Sequence, residues 1–298
     1  MNLIKPKKLK VGDTIAIIAP CGNVDFDKII LSKKYFENLG YKVKLGKNIA
    51  NSSRYMAGND TERVTDLHEA FCDSEVNAII CARGGYGALR LVDKIDYSII
   101  RENPKIFCGY SDVTILNLMF LKRAGLITFS APMAQSDFSG TVDTWTKTSF
   151  FNTLSSGNLN IQSKNGKFYN SGNASGLLLG GNLATVASLC GLDFLPDEKF
   201  IFFVEDLNEP VYKIDRYFTQ LLNYSSFSNN VSAILIGDFL DLDDKDYFDE
   251  LLREISERLN IPVISGYPFS HSKVKATAPV GANAKLENEI LLANDFMV

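Results

Sequence analysis

The sequence predicts an α/β protein: a doubly wound parallel sheet in the first half of the chain, followed by a second domain. Three observations predict it. Short apolar runs alternate with segments of helical periodicity, the repeated βαβ pattern that builds a parallel sheet with helices on both faces. The chain has 298 residues, 46% of them hydrophobic, enough for a substantial core in one large or two modest domains. From about Phe151 to Gly176 the texture changes to Ser, Asn and Gly (Ser155-Ser156-Gly157-Asn158, Asn170-Ser171-Gly172-Asn173), the composition of a loop or linker. The boundary falls there, giving an N-terminal domain of residues 1–160 and a C-terminal domain of residues 161–298.

The elements follow in order. Thr14–Ala19 is a strand, Phe26–Leu39 a helix closed by Gly40, and Tyr41–Leu45 a second strand. Thr61–Cys72 is a helix with Asp60 as its cap, Ala78–Cys81 a strand and Ala88–Lys94 a helix. Ile106–Cys108 and Ile127–Phe129 are strands on either side of a helix in which Val113, Leu116 and Phe120 recur at helical spacing. Trp145, the only tryptophan, sits in a helix-like stretch. Beyond the change of texture, Leu183–Cys190, Ile214–Leu222 and Tyr247–Leu259 read as helices. Phe200–Val204, Ala233–Ile236 and Pro262–Ser265 read as strands, and a C-terminal hairpin turns at Glu287-Asn288-Glu289.

Composition excludes several classes. Net charge is −4 with both signs mixed throughout, which gives no support for a nucleic-acid or acidic-membrane partner; the run Lys5, Lys7, Lys8, Lys10 is short and reads as a solvated N-terminus. The five cysteines (Cys21, Cys72, Cys81, Cys108, Cys190) are scattered and contain no C-x-x-C, so they read as buried thiols of a reducing compartment. No long apolar stretch opens the chain, so the expectation is no signal peptide, no membrane span and a cytoplasmic location. Metal signatures are missing: H-E-x-x-H is absent, and Asp241-Leu242-Asp243-Asp244-Lys245-Asp246 lacks the glycine and glutamate of a calcium loop. That acidic run reads as the charged cap of the following helix.

The most telling residue is Ser111. It follows the apolar run Lys105–Cys108 and Gly109-Tyr110, and precedes a helix. A serine on such a turn exposes its hydroxyl beside the free N–H groups and positive dipole end of the helix, which suit a developing oxyanion. The competing reading is a plain N-cap, and Val113 stands where Gly-x-Ser-x-Gly has its second glycine. A serine nucleophile needs a base, and the chain has two histidines. His68 lies mid-helix between Asp66 and Glu69, an ordinary solvated face. His271 lies in the loop Gly266–Ser272 among small, turn-forming residues and is the candidate base.

Glu205 ends the apolar run Lys199–Val204, where a carboxylate can orient an imidazole or merely cap the strand; Asp206, Glu209 and Asp215 compete for the orienting role. Ala82-Arg83-Gly84-Gly85-Tyr86-Gly87 follows a strand and supports three readings: a phosphate cradle, an oxyanion donor paired with the Asp112 N–H, or a tight βα turn. Two other classes stay open here. One is an enzyme that uses Cys108 as nucleophile; the other is a non-enzymatic nucleotide-binding protein that uses the glycine turn.

Gly12–Pro20, Ala82–Gly87, Gly109-Tyr110-Ser111-Asp112, Gly180-Gly181-Asn182-Leu183, Glu205-Asp206 with Tyr212–Arg216, and Pro268–His271 occur in this order over nearly the whole chain. In these blocks the sequence closely resembles the LD-carboxypeptidases, serine peptidases of murein recycling. The resemblance implies a flavodoxin-like first domain, a smaller β-rich second domain, and a cytoplasmic homodimer that needs no metal or other cofactor. It implies a triad of Ser111, Glu205 and His271, with an oxyanion hole from the N–H groups of Asp112 and Gly85. Arg83 and Arg216 are candidates for the substrate's terminal carboxylate, and Asn182 is a further substrate-binding candidate. One departure stands out: Ser270 and Ser272 flank His271 where the family usually has glycines. Family members split between murein tetrapeptides, from which they remove terminal D-alanine, and the peptidyl-nucleotide amide cleaved by microcin C immunity proteins. No extra aromatic-bearing insertion for nucleotide stacking is visible here, which favours the murein peptide as partner.

Overall fold

A computed structural model describes residues 1–298. The chain opens with β1 (Thr14–Ile18), α1 (Phe26–Asn38), β2 (Lys42–Leu45), α2 (Asp60–Cys72), β3 (Val76–Cys81), α3 (Tyr97–Glu102) and β4 (Ile106–Cys108). Next come α4 (Thr114–Ala124), β5 (Thr128–Ser130), α5 (Thr144–Ser156), β6 (Leu159–Gln162), β7 (Phe168–Asn170), β8 (Ala174–Asn182) and α6 (Leu183–Ala187). The remainder is β9 (Phe200–Leu207), α7 (Val211–Leu222), α8 (Ser225–Ser228), β10 (Val231–Leu240), α9 (Lys245–Leu259), β11 (Val263–Ile264), β12 (Ala278–Val280), β13 (Asn283–Glu287) and β14 (Ile290–Ala293).

Two sheets organise these elements. The first has six strands in the order β12-β5-β4-β3-β1-β2, parallel except for β12. Its β2-β1-β3-β4-β5 portion is the flavodoxin-like order, whose direction switches between β1 and β3; ligand crevices form beyond the carboxyl ends of strands at such a point. The second has eight strands in the order β6-β14-β13-β8-β9-β10-β11-β7. Its central β8-β9-β10-β11 are parallel, and its flanks are antiparallel. Strand β1, with every residue buried, and β9, with seven of eight buried, are the near-continuous apolar runs of sheets covered on both faces. One apolar core runs through both sheets.

Several expectations change. The segment 151–176 is no linker: it finishes α5, forms β6 and β7, and starts β8. In β6, Leu159 and Ile161 are buried while Asn160 and Gln162 are exposed, so polar residues at alternate positions disguise a half-buried strand. Residues 88–94 form only a 3₁₀ turn, Leu89–Leu91. Asn59, not Asp60, caps α2, in a reciprocal box with Glu62 (3.0 and 2.7 Å). Asp60 instead pairs with Arg63 and Arg90. The hairpin at Glu287–Ile290 forms as read, and Asp244 caps α9. His68 is half-buried, not solvated, and its Nε2 accepts the Asp96 N–H at 3.0 Å. Burial covers Cys21, Cys81 and Cys108, while Cys72 is exposed and Cys190 half-buried.

Candidate active site

Ser111 stands where β4 gives way to α4, at the start of a 3₁₀ turn, Ser111–Val113, that leads directly into the helix. Its φ is +62°, a left-handed conformation that costs a non-glycine residue about 1–2 kcal/mol. The strain comes from a sharp strand-to-helix turn that leaves the side chain half-exposed while its neighbours Tyr110 and Asp112 are buried. A plain N-cap would have extended backbone and a side-chain bond to the helix; neither is present at Ser111.

The glycine turn lies against this serine. A Cβ added at Gly84 would come within 2.7 Å of Ser111 Cβ and 2.9 Å of its Oγ, so only glycine lets the two turns meet. The Gly84 carbonyl accepts the Gly22 N–H at 3.0 Å. Because the Gly84–Gly85 peptide is planar and trans, the Gly85 N–H points away from Gly22. Gly85 is exposed, and no hydrogen bond within the protein occupies its N–H. Asp112 ties the two turns together, since its Oδ2 accepts the Ala88 N–H at 2.9 Å. Burial raises the Asp112 pKa, and the Ala88 N–H and the Cys21 thiol work against that rise. Arg63, buried on α2, donates to the carbonyls of Pro20 (2.5 Å) and Gly87 (2.9 Å) and so ties the end of β1 to the glycine turn.

On the second sheet, Glu205 lies within β9 and is buried, with 4% of its surface exposed. Its Oε2 lies 2.5 Å from His271 Nδ1. The other imidazole nitrogen, Nε2, is buried with no partner, as is Glu205 Oε1. The rivals for the orienting role point elsewhere. Asp206, the next residue along the strand, faces the opposite side. There it accepts N–H groups from Asn182 Nδ2 (2.7 Å), Ala184 (2.9 Å) and Leu207 (2.9 Å). Burial lifts its pKa to about 6, with the neighbouring Glu205 adding to the rise. Glu209 pairs with Lys213 at 3.2 Å, and Asp215 accepts the Tyr247 hydroxyl at 2.5 Å. Of the four carboxylates, Glu205 alone meets the imidazole.

The two halves of the site meet at Tyr110. Its ring packs edge-on against His271, with centroids 5.0 Å apart and planes at 75°, and the next residue is Ser111. Cys108, the rival nucleophile, is fully buried in β4, and burial raises its thiol pKa well above the ordinary value. That is the environment of an inert core thiol.

The substrate-binding candidates divide. Arg83 donates to the Asn23 carbonyl at 3.3 Å and has no carboxylate partner. Arg216 is exposed, lies over the Tyr212 ring at 5.6 Å and is also unpaired. Asn182 is buried at the start of α6. Its side-chain oxygen accepts the Thr185 N–H and hydroxyl, and its amide donates to Asp206. It therefore serves the fold as a helix cap. A cleft of about 580 Å³ adjoins the His271 loop, lined among others by Trp145, Asn160, Lys164, Pro268, Ser272 and Val274.

The chain's sequence matches two family models, the LD-carboxypeptidase N-terminal domain over residues 15–131 and the LD-carboxypeptidase C-terminal domain over residues 175–286. The chain belongs to the LD-carboxypeptidase family. Membership makes it a peptidase. This LD-carboxypeptidase family member is 35% identical to a probable murein peptide carboxypeptidase of Bacillus subtilis, over 95% of this chain and 91% of that protein. Its fold superposes on a MccF-like protein from Bacillus anthracis with a TM-score of 0.89 at 29% identity, covering 98% and 99% of the two chains. It superposes on the muramoyltetrapeptide carboxypeptidase from Oxalobacter formigenes with a TM-score of 0.86 at 33% identity, covering 96% and 100%.

Sequence reasoning missed Tyr110, Gly22 and Arg63. Tyr110 and the Gly22 amide have no composition signal. Arg63 had one: an arginine among Val64, Leu67 and Phe71 on the apolar face of α2 must find buried acceptors.

Proposed function

We propose that this peptidase is a serine LD-carboxypeptidase that releases the terminal D-alanine from murein tetrapeptides. The observation that carries it is the Glu205–His271 pair, whose free Nε2 belongs to a ring packed on the residue before a strained, half-exposed serine. Glu205 accepts the Nδ1–H, which leaves the Nε2 lone pair free to take a proton. His271 takes the Ser111 hydroxyl proton as Oγ attacks the carbonyl before the terminal residue. The Gly85 and Asp112 N–H groups receive the oxyanion. Collapse breaks the C–N bond, and the imidazolium returns its proton to the departing amine of D-alanine. Water, deprotonated by His271, then hydrolyses the ester and regenerates the hydroxyl. No step calls on a metal or other cofactor. Arg83 and Arg216, cations without a carboxylate partner, are suited to bind the terminal carboxylate. The reading includes a cytoplasmic homodimer.

Mass spectrometry of muropeptides incubated with the wild type and Ser111→Ala tests the proposal. Release of D-alanine by the wild type, and its loss in the variant with an unchanged circular dichroism spectrum, is expected. Equal turnover by both would remove Ser111 from the mechanism. The likeness to the MccF-like fold supports a second reading, hydrolysis of a peptidyl-nucleotide amide. The same triad would serve it, so the decision lies in relative kcat/KM for the two substrates. A nucleotide conjugate cleaved at least tenfold better than the tetrapeptide would favour the second reading.

A further inference from the structure

Behind the His271 loop lies a buried cation that the reaction above does not use. Lys275 has 4% of its surface exposed. Its ammonium pairs with Asp137, whose side chain is 7% exposed, donates to the Tyr110 hydroxyl at 3.1 Å, and sits 4.5 Å from the centre of the Tyr110 ring. Asp137 is held in turn, because its other oxygen accepts the Met133 N–H at 2.8 Å. A lysine is rarely buried this deeply without a reason, because desolvating the charge is costly unless paired.

The partners come from different halves of the molecule. Asp137 and Tyr110 follow strands of the first sheet, and Lys275 ends the loop that carries His271. That loop is tied down at several points. The Ala276 N–H donates to the Pro268 carbonyl at 2.7 Å and closes the loop's base. Thr146 of α5 accepts the Lys275 N–H at 2.9 Å and donates to the Lys273 carbonyl at 2.9 Å. The chain then runs into β12, which pairs with β5. Lys275 also lines a small cavity with Glu205, Tyr110 and Ser270, so the cation, the carboxylate and the tyrosine share one buried space.

We propose that the Lys275–Asp137 pair is a positioning clamp, which fixes Tyr110 and the His271 loop against each other across the two sheets so that the imidazole stays aligned on Ser111. The clamp touches neither substrate nor reacting atoms. It rests on His271 being the base of the proposed reaction. Since a misplacement of about 1 Å can cost roughly 10²-fold, a loosened loop should lower kcat far more than it raises KM.

The test uses K275M, D137N, the K275M/D137N double variant and Y110F, with D-alanine release, thermal melting and NMR of the histidine ring protons. The chain has two histidines, so a His68→Gln spectrum assigns His271 directly. K275M should lower kcat at least tenfold with KM changed less than threefold, and should broaden or abolish the His271 Nδ1–H resonance. The double variant, which leaves no buried charge unpaired, should recover thermal stability without recovering kcat or that resonance. Y110F, which removes the hydroxyl but keeps the ring, should lose several-fold in kcat. If the single variants do not fold, the double variant and Y110F decide. Wild-type kcat and an unchanged His271 signal in either one overturns the clamp. His271→Ala separates the two ideas: full turnover by that variant sinks the proposed mechanism, whereas its inactivity beside an active double variant sinks the clamp alone.

Discussion

At Ser111 the backbone and the chemistry pull in different directions. A positive φ is costly for serine and nearly free for glycine. The strain persists because the surrounding turns over-determine it, as is common where a side chain must be presented rather than packed. Ser111→Gly should therefore be more stable than Ser111→Ala by about 1 kcal/mol, a rise of a few degrees in melting temperature for a chain of this size. Both variants should be inactive. Equal melting temperatures would mean that the turn has relaxed in solution. Glu205→Gln and His271→Ala test the neighbouring pair. Each should reduce kcat at least 10³-fold if the triad acts as a unit, and a near-normal rate in either would break it.

At the scale of elements, the site depends on how closely two turns approach. The glycine turn after β3 and the serine turn after β4 are adjacent because β3 and β4 pair in parallel, which carries both carboxyl ends to the same edge. Gly84→Ala would drive a methyl into Ser111 and displace the turn that bears the Gly85 N–H. Loss of one oxyanion donor costs about 10²–10³ in kcat. Gly84→Ala should reach that range with the fold retained by circular dichroism; a loss below tenfold would remove this turn from the proposed oxyanion site.

Helices and strands of the first half were largely legible, because βαβ units write apolar runs and helical spacing into contiguous residues. The limits of β1, α1 and β4 fall within a residue of the reading. The segment around β6–β8 was not legible. Its strands are rich in Ser, Asn and Gly, and at Gly180 an added Cβ would fall 1.8 Å from the Phe203 carbonyl oxygen. A glycine required by a neighbouring strand looks, in one dimension, like a glycine in a loop.

Across the whole molecule, stability and site chemistry meet on β9. Asp206 shares the strand with Glu205 but turns its carboxyl toward α6, where burial lifts its pKa to about 6 from the ordinary 3.8. The sign follows from linkage. Between those values the folded protein holds a proton that the unfolded chain has released. This group's contribution therefore favours folding at the acid end and is lost as pH rises through 6. Two pKa units correspond to roughly 3 kcal/mol as an upper bound. Asp206→Asn should flatten the stability profile between pH 4 and 6 in urea titrations; a slope unchanged from wild type would show that Asp206 does not titrate in that window.

Residue types and their spacing along the chain already contained the alternating architecture, the serine after β4 and the glycine turn, because each is written in neighbouring residues. Which carboxylate serves His271 was not written there. Glu205 and Asp206 are adjacent and chemically alike, and only the pleat of β9, packed between its neighbours, sends one toward the imidazole and the other to a helix end. The same holds for Lys275 and Asp137, separated by 138 positions and joined only because β12 returns to the first sheet. Contacts of that kind depend on the closure of long loops around a shared core, and no local pattern encodes them.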